Sequence, residues 1–536
     1  MKKTLAILLV MLLTLLPLIS GCSNSGKVAE SSNSSTSKGQ EQKTAEKTGE
    51  SKEPESSMDK TLEVIWHGFN IAGYLPSNDS EIKKTLEEKF NIKITNVQVD
   101  NYNQEQLNVL LASGVEFDIS THQMSFAQLH ELGLIRSIPE EYLSKYLPFF
   151  YNSLKNALGD DWKLYGSIDG EIYGIPMINE AWAAPMVLGV RTDWITAVGY
   201  DKNNLPKTLD GLEEMLEKFH TGDPDGNGKK DTYAIGRFDD MDAYVLGAFG
   251  VSDRYWYPDK DGNPMTYAID ENYKEALKVL QRWYKKGIYD PEVITDTRTE
   301  TTTKFVENKV GGYYGIDWAF TTGHNISPLK AAKDKGIEIE MTVIPPVTGP
   351  NGDVGTPQYS AIVVTSGMTF GRNCTDEKLI RLLQVINAIY TDEDLYKYVN
   401  YGPKDLFYTE DEDGFVQTTD FYTNENMHTY GAQRYLPYPF TPESLMKWRL
   451  QRDRYEKFVE LKDFPKVGVH PVSVFSTDAQ LEYSASVNKI ADEFYWKALT
   501  GEIDVDAQWD AYKENWLNAG GKQILEEKRE LYNRMK

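Results

Sequence analysis

Thr61-Leu-Glu-Val-Ile-Trp66 alternates apolar and polar residues and is rich in β-prone types, the pattern of a strand. Outward from it the pattern repeats. Ile82, Leu86 and Phe90 recur at helical spacing, with Asp79 or Ser80 placed to cap them. Ile92 to Val99 reads as a second strand, Gln104 to Ala112 as a short helix ending at Gly114, and Phe117-Asp-Ile-Ser120 as a short buried strand. This rhythm of strand, helix, strand, helix, strand predicts an α/β fold with a largely parallel sheet.

Downstream, Gly170-Glu-Ile-Tyr-Gly-Ile-Pro176 reads as a hairpin leading into a crossing strand, and Pro185 to Arg191 as another strand. Thr208 is placed to cap a helix whose Leu212, Met215, Leu216 and Phe219 share one face. Asp270 does the same for a helix carrying Tyr273, Ala276, Leu277, Leu280 and Tyr284, stopped at Gly287. Lys309 to Gly315, Glu338 to Ile344 and Ser360 to Thr365 are strand-like, residues 400–440 read as irregular, and the chain ends in helices.

The N-terminus has a different character. Lys2 and Lys3 precede an apolar run from Thr4 to Ile19, too short to be read first as a membrane span and laid out as an export signal. Ser20-Gly21-Cys22 directly after it resembles the lipobox of bacterial lipoproteins, which implies cleavage before Cys22 and a lipid on that cysteine; an ordinary signal peptide or signal anchor is the alternative. Residues 22–58 are polar, with almost nothing to bury, and read as a disordered tether spanning on average ~30–35 Å.

The chain has 536 residues, enough for two or three domains, and a formal charge of −24. Residues 1–21 carry only Lys2 and Lys3 as charges, so their removal leaves the rest at −26. Such an acidic surface argues against nucleic acid and anionic lipid headgroups as partners. With Cys22 lipidated, Cys374 stands alone and no internal disulfide can form. Some of the 33 Tyr, 20 Phe and 11 Trp must be core, but exposed Trp and Tyr suit a ligand with flat apolar faces.

The order of several segments resembles the large extracellular solute-binding lipoproteins of ABC importers (family 1, the oligosaccharide-binding branch), and is similar to that of alginate-binding proteins. Those segments are Gly170 to Pro176, Val190-Arg191-Thr-Asp-Trp194 with Val198-Gly199 and Pro206 to Leu209, Trp283 to Glu292, Phe305 to Gly312, and Gly501 to Arg534. The resemblance implies a two-lobed, periplasmic-binding-protein-like (type II) α/β fold with a hinged cleft. It implies lobe 1 from residues 59–180 and 351–415, and lobe 2 from 181–350 and 416–536. It also implies a monomer on the extracellular face of a bacterial cell membrane, held there by its lipid anchor, that delivers an oligosaccharide to ABC transporter permease subunits. Lobes of this kind close on the ligand by hinge motion.

Asp223-Pro-Asp225-Gly-Asn227-Gly228-Lys229-Lys-Asp231 sets side-chain oxygens at positions 1, 3, 5 and 9, a glycine at 6 and a backbone carbonyl, that of Lys229, at 7. Hard oxygen donors at this spacing suit Ca²⁺ in a structural role, and the alginate binders carry a similar loop. Position 12 departs from the pattern: Ala234 stands where a bidentate Glu would be. A solvated Asp-Gly turn is the alternative. Asp259-Lys-Asp261-Gly-Asn263 lacks the rest of the pattern and reads as a hairpin turn.

Sugars present C–H faces to aromatic rings and hydroxyls to polar side chains. Trp66, Arg191 with Asp193, and Asp317-Trp318 lie at strand ends, and Trp182 near the crossing. Trp66, Trp182, Arg191, Asp317 and Trp318 are therefore the candidate ligand residues, each of which also fits a core or salt-bridge role. No G-x-S-x-G, H-E-x-x-H or phosphate loop occurs, and His67 and His122 read as packed or surface residues. A catalytic carboxylate pair could be hidden among so many acids. A secreted glycan hydrolase and a surface receptor without transport are the alternatives to a binding protein.

Overall fold

Two apolar cores organise the chain. One gathers buried residues from Leu62 to Ile178 and again from Met368 to Leu445; the other gathers Ala184 to Val347 and Met446 to Leu525. The structure, a computed structural model, describes residues 58–535 except 72, 123, 181–183, 239, 323, 325, 358–361 and 438–439; at 104 and 362–366 only the backbone is described. The export signal, Cys22, the tether up to residue 57 and Trp182 lie outside the described residues. All described residues fall within one unit, Pro54–Lys536. Among them, no helix is long and apolar enough to cross a membrane.

The first core is built on a five-stranded sheet in the order Ile92–Asn96, Leu62–His67, Ile119–Ser120, Ile362–Phe370, Gly174–Ile178. The first two pairings are parallel, as the opening rhythm predicts, with Trp66 opposite both Asn96 and Ile119. Ile362–Phe370 runs antiparallel to both its neighbours. A smaller cluster around Leu107, Leu111, Leu129 and Leu134 adds to this lobe. The expected hairpin is present: Ser167–Ile168 pairs with Glu171–Ile172 through Asp169 and Gly170, both at positive φ. The next glycine, Gly174, has a packing reason. A Cβ there would lie 2.2 Å from the Phe126 ring, which also covers Gly367.

The second lobe corrects the expectation of a parallel sheet. Its three strands, Gly312–Gly315, Val187–Arg191 and Met341–Val343, are all antiparallel. Around them pack the capped helices. Thr208 accepts from the Gly211 N–H ahead of Leu209–Thr221, and Asp270 from the Asn272 N–H ahead of Glu271–Lys285. Buried Glu213 ties these two helices together, accepting from Arg282 and from Trp283 Nε1 at 2.8 Å. Asp259 accepts from the N–H groups of Asp261 and Asn263 in the expected hairpin turn.

Residues 400–440 are more ordered than their composition suggests. They form a hairpin of Tyr408–Glu410 with Val416–Thr418 and a helix, Asn424–Tyr430. The buried residues Val416, Met427, Tyr435, Phe440 and Leu445 join the first core, so the stretch expected to open the second lobe's return at 416 packs with the first until Leu445.

The chain thus passes between cores three times: after Ile178, between Val347 and Met368, and at Leu445 to Met446. The crossings are tied together. Thr441 N donates to Ile178 O at 2.7 Å, Glu180 N to Thr441 O at 3.0 Å, and Met186 N to Pro357 O at 3.2 Å. Few, extended connections of this kind let two lobes rotate as bodies.

Candidate functional site

At the carboxyl ends of the first lobe's parallel strands, four loops meet. His67 ends its strand buried, its ring bonded through Nδ1 to Ser120 Oγ at 3.1 Å and through Nε2 to Asn101 Oδ1 at 2.8 Å. Asn101 in turn donates to Gly68 O at 3.0 Å, and its backbone N–H to Asn70 Oδ1 at 3.1 Å. Burial lowers the His67 imidazole to about 4, with the Arg434 charge adding and the Asn101 bond opposing. Half-buried His122 meets the His67 ring at 5.4 Å; burial lowers it to about 3, with His67 adding. Both rings are therefore neutral at pH 7.

Arg434 belongs to the loop between Asn424–Tyr430 and the third crossing. Its backbone oxygen lies so close over Gly68 that a Cβ there would meet it at 2.1 Å. The side chain is 3 % exposed, Nη1 is buried without a hydrogen-bond partner, and no carboxylate pairs with it among the described residues. Burial lowers its pKa to about 10. Tyr102, 60 % exposed, stands edge-on to Phe69 at 6.4 Å beside the same loops. Sequence reasoning missed Arg434 and Tyr102. The signal for Tyr102 was its place just after a strand; Arg434 had none, since nothing local marks an arginine as unpaired.

Trp66, expected to face a ligand, is a core residue. It is fully buried, edge-on to Tyr435 at 5.3 Å, with Nε1 donating to Thr121 Oγ1 at 3.3 Å. Tyr435 comes from a distant part of the chain and seals the ring in.

In the second lobe, Arg191 is also committed. It is buried, its Nε and Nη2 donate to Asp193 at 3.0 and 2.6 Å, Nη1 bonds Asn308, and the guanidinium lies 5.5 Å over the Trp194 ring. It braces a strand end instead of presenting a free cation. Asp317 follows Gly312–Gly315 and is fully buried, accepting from Arg454 Nε at 2.8 Å. Burial still holds its carboxyl above the usual range, against the Arg454 charge. Trp318 next to it is only half-buried. Its ring carries the Arg298 guanidinium at 5.5 Å and lies 5.6 Å from His324, which burial lowers to about 4, Arg454 adding. Of the expected ligand residues that are described, Trp318 alone keeps an accessible ring. Two buried acids of this lobe have partners: Asp240 pairs with Arg254, and Asp242 accepts from the Tyr289 and Tyr495 hydroxyls at 2.6 and 2.5 Å.

The loop at 223–231 is tightly wound. Asp223, Gly226 and Gly228 have positive φ. Asp223 accepts from the N–H groups of Asn227 and Gly228 at 3.1 and 2.9 Å, and the Asn227 amide reaches both Asp225 at 2.7 Å and Asp231 at 3.1 Å. The three carboxylates are linked through Asn227, by way of its backbone and amide nitrogens, while Asn227 Oδ1 accepts from the Lys229 N–H at 2.8 Å; the oxygens at positions 1, 3, 5 and 9 are hard donors of the kind Ca²⁺ takes. Two features weaken the set. Lys309 pairs with Asp231, holding its carboxyl below the usual range with Asn227 assisting, and Ala234 is buried in the sheet-side core. A second acidic cluster, Asp290, Glu292 and Asp296, already holds a cation of its own: the Lys304 ammonium bonds all three.

Comparison with known proteins agrees with this architecture. A family model described as bacterial extracellular solute-binding protein matches residues 81–403. Lipoprotein LipO of Bacillus subtilis is 26% identical over 484 residues, 86% of this chain and 90% of LipO. The polygalacturonan/rhamnogalacturonan-binding protein YtcQ of the same organism is 25% identical over 515 residues, 91% of this chain and 94% of YtcQ. Among solved structures, the ABC-transporter substrate-binding protein FusA of S. pneumoniae, in complex with kestose, superposes with a TM-score of 0.60 at 20% identity, covering 88% of this chain and 99% of FusA. A further FusA structure is of an EF-hand mutant. At this identity the structural likeness shows the two-lobed fold.

Proposed function

The chain belongs to the bacterial extracellular solute-binding proteins, and from that premise we propose that it captures an oligosaccharide between its lobes and delivers it, unbroken, to the permease subunits of an ABC importer. The observation that carries this reading is the pairing of two separate cores, joined by three tied crossings, with an accessible aromatic ring, Trp318, at a strand end of the second lobe. A ligand touching both lobes favours the closed form by its differential contacts, and that is how a permease would tell loaded from empty. Trp318 stacks on a sugar face, and Tyr102 adds an exposed ring on the first lobe.

The remaining parts follow. Cys22 carries the lipid, residues 22–58 tether the folded part, and the monomer works on the extracellular face of the cell membrane. Lobe 1 comprises 59–180 and the return through 445; lobe 2 comprises 181–350 and the C-terminal helices. Asp223, Asp225, Asn227, Asp231 and the Lys229 carbonyl hold a structural Ca²⁺ that stiffens the loop; LipO's name as a lipoprotein and the EF-hand of FusA support these two readings.

The test is incubation of the pure protein with a panel of oligosaccharides. A rise in melting temperature with every sugar recovered intact is expected. Cleavage products would overturn the reading in favour of a hydrolase.

A further inference from the structure

We propose that the first lobe carries a carboxylate-binding subsite centred on Arg434, so that the captured oligosaccharide contains uronic-acid units. This rests on the oligosaccharide-capture reading and goes beyond it by assigning the ligand's charge.

Six cationic side chains are buried among the described residues, and five have partners. Lys83 pairs with Glu87, Arg191 with Asp193, and Lys397 with Glu393 and Glu410; Arg381 donates to the carbonyls of Phe90 and Asn91, and Lys528 to those of Val472 and Phe475. Arg434 alone has neither carboxylate nor carbonyl against its guanidinium, and its Nη1 is buried and unbonded. An uncompensated buried charge costs several kcal/mol, so a fold keeps one where something outside the fold completes it. In a chain of charge −24, carboxylates are plentiful, and yet among the described residues none pairs with Arg434.

The position fits a ligand. Arg434 lies over Gly68, directly after the strand Leu62–His67, where ligands of parallel α/β sheets bind. The guanidinium is planar and forked, matched to a carboxylate by two parallel N–H···O bonds. The rings that feel its charge, His67 and His428, are both lowered by burial, and Asn70 and Asn101 on the neighbouring loops are fixed by their own hydrogen bonds. Asp100, the carboxylate of these loops, is committed to Asn70 Nδ2 and to the Gly73 and Tyr102 N–H groups, and does not pair with the guanidinium.

The test measures affinities of the full chain for uronic-acid tri- and tetrasaccharides of several linkages, for their carboxyl-reduced neutral counterparts, and for sulfated oligosaccharides of equal length. At least one uronate is expected to bind about tenfold or more tighter than its reduced form, the range of a charge-assisted pair. Arg434→Met should erase that preference while leaving the melting temperature of the free protein unchanged or higher, because it removes a charge that nothing in the fold compensates. Arg434→Lys should restore part of the preference. Equal affinity for acid and reduced forms would overturn the subsite and leave oligosaccharide capture standing, as would tighter binding of the sulfated sugar. Loss of melting temperature in Arg434→Met with acid preference intact would make Arg434 a structural residue and overturn it too. Binding of no sugar, acidic or neutral, would remove the capture reading itself.

Discussion

At the strand ends of the second lobe, Arg454 holds the buried carboxylate of Asp317; at those of the first lobe, Arg434 is buried with no carboxylate of the described residues paired with it. Both arginines come from parts of the chain remote from the strands they serve. The difference is what each does for the fold. Arg454 pairs with Asp317 through Oδ2, Oδ1 staying buried and unbonded, and the pair holds the start of the 3₁₀ turn Asp317–Phe320 that carries Trp318. Arg434 has no such duty. One lobe presents a braced aromatic ring; the other keeps a buried cation that no acid of the described residues pairs with.

The largest expected effect tests the claim that the first lobe's tryptophan belongs to the fold. Trp66→Ala should destabilise the protein by about 3–5 kcal/mol in urea denaturation, the range for emptying a buried aromatic site. A change under about 1 kcal/mol would return Trp66 to the ligand surface. Second is pH. The unfolded His67 takes up a proton near 6.5 and the folded one only near 4, so stability should be lost as pH falls between those values, by about 3 kcal/mol for His67 alone. His67→Gln should flatten that slope; an unchanged slope would show that the loss arises elsewhere.

Third, Asp317→Ala leaves Arg454 uncompensated. A fully buried pair would lose about 3–5 kcal/mol; the Arg454 side chain is 23% exposed, so about 2–3 kcal/mol is expected by denaturation. Set beside the neutral or stabilising effect expected of Arg434→Met, this sharpens the contrast between the two lobes. A loss no larger than that of Arg434→Met would erase it. Fourth, Trp318→Ala should weaken sugar affinity by about 1–3 kcal/mol in calorimetry, as for loss of a stacked ring. Unchanged affinity would remove Trp318 from the site. Smallest is the metal loop: added Ca²⁺ should raise the melting temperature by a few degrees in the native chain and not in Asp225→Ala. Equal curves with calcium and with chelator would make the loop a turn.

What could be read in advance follows from range. Thr208 and Asp270 cap the helices expected of them because a capping bond spans two or three residues. The parallel trio around Leu62–His67 was legible because its strands alternate with helices along a short stretch. The antiparallel second sheet was not: Val187–Arg191 pairs with strands far downstream, and no local pattern carries their direction. The same holds at the site. Asp317 and Trp318 could be found as a strand end, but that one would be sealed and the other left accessible depends on Arg454 and on the packing around them. Trp66 was misread because Tyr435, which covers it, lies in a stretch whose composition suggested no packed structure. Arg434 sits one residue earlier, and only the fold shows what it lacks.

Capture as proposed requires the two lobes to close on a sugar held between them. Small-angle X-ray scattering of the protein, alone and saturated with an oligosaccharide it binds, tests this most directly. A smaller radius of gyration is expected in the loaded state at unchanged mass. Superimposable scattering curves at saturation would contradict it.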